Sequence, residues 1–196
     1  MDLSIKNEKL IAHFNEECMV FANGTSDAWA AKHPESAPYG FLHSFLEICE
    51  VSKIEIDLTY DTLKNINAGL AALFVFQKKH YDHATNVDIV ARTLASVLSY
   101  IAINEHGFWF RSTCYWNQIQ AGKGPKQPLW SGVDSIAVGK KNTYVDFLPA
   151  CKEAVKPGTI LSPSGLSVQV DVVVVEYKKL TGVDLTEYGF NNLFLA

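Results

Sequence analysis

Two apolar stripes at helical spacing follow one another near the middle of the chain, and they constrain its fold more than any other feature. Leu63, Ile66, Leu70, Leu73 and Phe74 form the first, and Val90, Leu94, Val97, Leu98 and Ile101 form the second. Apolar residues recurring every three or four positions commit one face of a helix to a core. Only the polar turn Tyr81 to Asn86 separates the two, so they are expected to form an antiparallel hairpin at the centre of the fold. Asp61 is placed to cap the first helix, and Lys78, Lys79 and His80 complement the dipole at its end. Thr85 and Asp88 have capping-box spacing at the start of the second helix, and Gly107 supplies its stop.

Both helices contain long stretches without charge, Asn65 to Gln77 and Thr93 to Asn104. Each falls short of the roughly 18 residues that suggest a membrane span, so both read as buried helices and no membrane is expected. Apolar residues make up 48% of the 196 positions and charged ones only 19%, a balance that excludes intrinsic disorder. This length suits a single globular domain over residues 1–196. The formal net charge of −4 argues against a nucleic-acid binder working by bulk charge. Asp2, Lys6, Glu8, Lys9, Glu16 and Glu17 interrupt any secretory h-region after Met1, so a cytoplasmic protein is expected.

Further helices are predicted from Lys6 to Phe21, on Leu10, Ile11, Phe14, Cys18 and Phe21, and around Phe41, Leu42, Phe45, Leu46 and Cys49. The strict alternation of Lys53 to Leu58 predicts a half-buried strand between these helices and the hairpin. Beyond Gly107 the chain becomes β-favouring, beginning with the aromatic run Phe108 to Trp116. Ser135 to Val138 and Thr143 to Phe147 flank Gly139 to Asn142 as a hairpin, and Pro149 to Val155 suits a helical turn. From Leu166 the chain alternates, then runs through four adjacent valines to Val175, which favours strand, while the ending Tyr177-Lys178-Lys179-Leu180-Thr181-Gly182 also suits a helix C-terminus and keeps helix as the competing reading. The expected fold is therefore α+β, helix-rich over 1–106 and strand-rich over 107–196. Its N-terminal helices include the central hairpin, and a mainly antiparallel sheet fills the C-terminal half.

Chemical patterns are sparse. Glu176-Tyr177-Lys178, read on a strand, places a carboxylate and an ammonium on one face, where they can hold a divalent metal and polarise a water. The arrangement resembles the E-x-K element of PD-(D/E)xK nucleases, which implies an upstream aspartate on a neighbouring strand, here Asp134 or Asp146. No Pro-Asp pair precedes it. His80, Asp82 and His83 are the densest set of metal-ligand types, although a polar turn between paired helices explains them as well. Cys114 near His106 forms a Cys-His pair in sequence, but its setting between aromatic residues suits core packing better. Gly122-Lys123-Gly124-Pro125-Lys126 lacks phosphate-loop spacing, and Cys18, Cys49, Cys114 and Cys151 contain no C-x-x-C pair. No cofactor is expected.

The aromatic enrichment says more. Trp109, Tyr115, Trp116 and Trp130 cluster with Arg111, and strand alternation sends part of this set away from the core. An exposed Trp-Tyr-Arg patch suggests a protein interface. The leading expectation is a non-catalytic protein-interaction protein, of the immunity or inhibitor type or a subunit of a larger assembly. Its partner is another protein or a second copy in a homo-oligomer. A divalent-metal-dependent nuclease or phosphodiesterase using Glu176, Lys178 and Asp134 or Asp146 is the alternative.

Overall fold

The computed structural model describes residues 39–111, 137–140, 143–158 and 165–195. The predicted helix over Lys6 to Phe21 lies outside them. Helix α1 spans Tyr39–Val51 and buries Leu42, Phe45, Leu46 and Cys49 of the stripe that its spacing predicts, with Phe41 only half-buried at its edge. A 3-10 helix, Tyr60–Asn65, runs directly into α2, Ile66–Gln77. The first stripe thus begins one turn tighter than expected, and Asp61 sits inside that turn instead of capping it. The cause lies just upstream, where Asp57 Oδ1 accepts from the backbone N–H of Thr59 (3.0 Å) and the hydroxyl of Thr62 (2.6 Å).

Lys53 to Leu58 forms no strand. Lys53 and Leu58 both take positive φ, 57° and 59°, which breaks extended geometry at each end. Side chains replace the missing ladder: Asn65 Nδ2 donates to the Glu55 carbonyl (2.8 Å) and Asn104 Nδ2 to that of Leu58 (3.0 Å). The alternation is nevertheless physical, because Ile56 and Leu58 are buried while Glu55 faces water.

Helix α3, His83–His106, completes the hairpin and is the centre of the molecule. Its N-cap is Asp82, whose side chain accepts from the Thr85 N–H at 2.7 Å, so the cap falls three residues before the expected one. Asp88 instead pairs with Arg92 at 2.6 Å. Gly107 ends the helix in the left-handed region, with φ 62°, as the sequence predicts. Every residue from Thr93 to Ile103 is buried. A helix covered on all sides belongs to a core, and α3 packs against both α1 and α2.

Strands β1 (Trp109–Arg111), β2 (Ala137–Lys140) and β3 (Thr143–Asp146) form an antiparallel sheet in that order. Lys140 faces Thr143 across the β2-β3 hairpin, so Gly139 and Lys140, expected in the turn, belong to β2. Asp146 ends β3 and caps α4, Phe147–Ala154, by accepting from the Leu148 N–H at 3.0 Å. Pro149 fits in the first turn of α4, where its missing N–H is not needed. A second antiparallel sheet joins β4 (Val155–Pro157), β5 (Leu166–Val168) and β6 (Leu193–Leu195).

The expected strand through the valines is instead helix α5, Asp171–Thr181. Strand β5 ends where the Val170 N–H turns to Asn192 Oδ1 (2.7 Å). Beyond that point Val173, Val174 and Tyr177 are buried at helical spacing, while Val175 is exposed. Valine's β preference amounts to a few tenths of a kcal/mol per residue, and burying this stripe beside α4 and α3 outweighs it. Asp171 in the first turn, Lys178 and Lys179 in the last and Gly182 beyond them complete the helix.

Gly69 sets how closely α1 and α2 approach. A Cβ there would lie 2.7 Å from the Phe45 ring and 2.9 Å from Cys49 Sγ. Both neighbours are fully buried and cannot swing away. Gly69→Ala gains helix propensity of about 1 kcal/mol but overpacks a rigid contact at a cost of about 1–3 kcal/mol. Its urea unfolding midpoint is expected below that of the wild type, and Gly69→Val lower again.

Candidate functional site

The residues of the E-x-K reading do not assemble. Glu176 and Lys178 lie on α5, where two positions differ by about 200° around the helix axis. They face different partners: Glu176 Oε1 pairs with Lys179 Nζ at 2.5 Å and Lys178 Nζ with Asp184 Oδ2 at 3.1 Å. Thr186 and Lys178 together hold the Asp184 carboxyl down at about 2. Asp146 serves as the cap of α4, and Asp134 is outside the described residues. The strand geometry on which the nuclease reading rested is therefore absent.

His80, Asp82 and His83 likewise separate. His80 lies in the α2-α3 turn with its ring 5.3 Å from that of Phe76, Asp82 is the cap of α3, and His83 is its first residue. Among the described residues no three His, Cys, Asp or Glu side chains gather as a metal site. Cys49 and Cys151 are buried free thiols; burial pushes Cys49 up to about 12 and Cys151 well above its usual value. Such thiols are poor nucleophiles. Trp109 and Arg111 lie on β1, which among the described residues pairs only with β2. Tyr115, Trp116, Trp130 and Cys114 are outside the described residues.

Two features that the sequence reading missed emerge instead. One is a chain of hydroxyls and imidazole. Tyr60 Oη lies 2.6 Å from His106 Nε2 and 3.1 Å from Tyr177 Oη, and the Tyr60 ring stacks on Tyr188 at 4.5 Å. The Tyr60 N–H also donates to Glu105 Oε1 at 2.9 Å. This cluster ties the first 3-10 helix, the end of α3, α5 and the second 3-10 helix, Leu185–Tyr188, to one another. Burial raises the pKa of both Tyr60 and Tyr177, so their hydroxyls remain protonated, and it lowers that of His106. With the proton of the neutral His106 on Nδ1, Nε2 accepts from Tyr60, whose oxygen accepts from Tyr177; with it on Nε2, both bonds run the other way. The arrangement is a hydrogen-bonded strut between these segments.

The second feature is an apolar groove between α1 and α2, about 890 Å3 in volume and open to solvent. Ile48 and Val51 line it from α1, and Ala71, Ala72, Val75 and Phe76 from α2. Val51 is 85% exposed and Phe76 54%, so both project from the walls. Glu47 and Glu50 stand on the α1 side and Lys79 on the α2 side.

No protein-family model, curated protein or solved structure matches the chain. The reading of the site therefore rests on its own geometry. A signal for the groove was present in the run Leu73-Phe74-Val75-Phe76, which is apolar around the whole helix circumference. Leu73 and Phe74 fill the core, and Val75 and Phe76 necessarily face the other way.

The strut has a pH signature. Desolvation holds His106 below its ordinary 6.5, with Glu105 opposing in part. The unfolded chain then binds more protons below that value, so the contribution to stability is complete above about pH 6.5 and is lost as pH falls toward the depressed native value. Urea unfolding at pH 7.5 and 5.0 is expected to show the wild type less stable at the lower pH. The difference should shrink in His106→Gln.

Proposed function

We propose that this chain is a non-catalytic protein-interaction protein, working as an inhibitor or immunity-type binder or as a subunit of an assembly. The observation that carries this reading is the groove between α1 and α2, where Val51 and Phe76 project into solvent beside a partly buried Ile48. Contiguous exposed apolar surface flanked by charged side chains is a common mark of a protein interface. Helical grooves of this kind take the apolar face of another helix. The loss of strand geometry at Glu176 and Lys178 leaves the competing nuclease reading without support. The Trp109–Arg111 strand adds a second proposed contact surface, because β1 has one neighbour among the described residues.

The test is the native mass of the full chain, purified gently from its own source, beside the Phe76→Asp variant. A stoichiometric bound chain, different or identical, is expected with the wild type. It should be lost with Phe76→Asp while the thermal midpoint changes little, since the side chain is exposed. A bare monomer at tens of micromolar overturns the proposal, as does a partner retained in full by the variant.

A further inference from the structure

The described structure begins at Tyr39, the first residue of α1, and α1 is one wall of the groove. The chain before it includes the predicted helix Lys6 to Phe21, whose stripe Leu10, Ile11, Phe14, Cys18 and Phe21 requires an apolar surface to cover it. Among the described residues that surface is concentrated at the groove. Val51, Val75 and Phe76 stand exposed on its walls, whereas the other exposed large apolar side chains, Tyr81, Val175, Tyr188 and Phe194, each fall in a different part of the fold.

We propose that residues 6–21 dock as a helix in the groove of their own chain, and that a partner helix must displace them. This rests on the interaction reading above and names the regulation of that site. A helix is convex and fills a concave groove, its apolar side chains entering between the walls while its polar ones stay in water. The 16 residues 6–21 make a helix about 24 Å long. That is enough to follow the 13-residue α1 wall, itself about 20 Å. The connection does not limit the fit, because the 17 residues 22–38 span up to about 55 Å when extended. The segment therefore reaches every level of the groove, in either direction. The tether also raises its occupancy, since a flexible connection of this length holds the segment at an effective concentration of about a millimolar. Modest intrinsic binding then keeps the groove covered, and a partner binds more weakly in proportion to the fraction of chains in which it is open.

Labelling of the full chain carrying Val51→Cys with N-ethylmaleimide tests the proposal, the rate at position 51 being read by peptide mass spectrometry. Phe14→Asp places a charge in the stripe and should speed that reaction at least about tenfold, because the rate follows the fraction of chains with the groove open. A peptide of the natural sequence 4–22, added at about 1 millimolar, should restore the slower rate. In Val175→Cys, on the outer side of α5, the thiol at position 175 should react alike with and without Phe14→Asp. The buried thiols Cys49 and Cys151 report on folding, since both stay unlabelled while the core is intact. Should Phe14→Asp expose them, the milder Phe14→Ser carries the same expectation. A rate at position 51 that is indifferent to Phe14 overturns the proposal. So does protection that grows from about 1 to about 100 micromolar, which marks a segment supplied by a second copy. If the segment gives no protection but a bound chain is found and is lost with Phe76→Asp, the interaction reading stands without it. Protection by the segment with no chain ever bound overturns the interaction reading and leaves the docking in place. Neither protection nor a bound chain overturns both.

Discussion

Burial of helix α3 on every side from Thr93 to Ile103 is the constraint from which the rest of the molecule follows. A helix satisfies its own backbone hydrogen bonds, so it can be enclosed without orphaned amides, provided that its ends are closed. Asp82 closes one end and Gly107 the other. Small residues, Ala91, Ala95, Ser96, Ser99 and Ala102, allow close approach, and α1, α2, α4 and α5 pack around it. Both sheets also hold to this helix, through β1 and β2 in the first and β4 in the second.

A helix that serves as a cover has an inner side set by folding and an outer side free for other work. On α5 the outer side is mostly polar, with Glu176 joined to Lys179 and Lys178 to Asp184 around a single exposed valine, Val175. On α1 and α2 it is not. Gly69 draws α1 and α2 together on the inside, and Val51, Val75 and Phe76 are left outside. The Tyr60 strut sits at the end of α3, where a neutral imidazole and two tyrosine hydroxyls join segments far apart in the chain. It organises the core, and the groove carries the functional reading.

The helices were legible because their signals are local. The stripe of α1 and that of α3, and the stop at Gly107, need nothing beyond neighbouring residues in the chain. The β2-β3 hairpin was legible for the same reason, its turn residues lying between two short β-favouring segments. Lys53 to Leu58 misled because alternation reports which side chains face inward, not whether another strand lies alongside. The four valines misled because β-branching is a weak preference, and Val173, Val174 and Tyr177 gain more by packing as a helix. With that turn into helix, the chemistry read into Glu176 and Lys178 lost its shared face.

What the sequence determined by itself was the α+β class, the central helix pair and the buried stripes of α1, α2 and α3. Spacing, propensity and most helix stops act within a few residues, and that is the range over which a sequence can be read directly. The tertiary structure alone decided that Tyr60 meets His106 and Tyr177, that residues 171–181 coil into a helix, and that an apolar groove stays open between α1 and α2. Each of these depends on which surfaces are brought together and which are left uncovered. That is settled by packing among distant segments, which local patterns such as the apolar run Leu73 to Phe76 signal only in part.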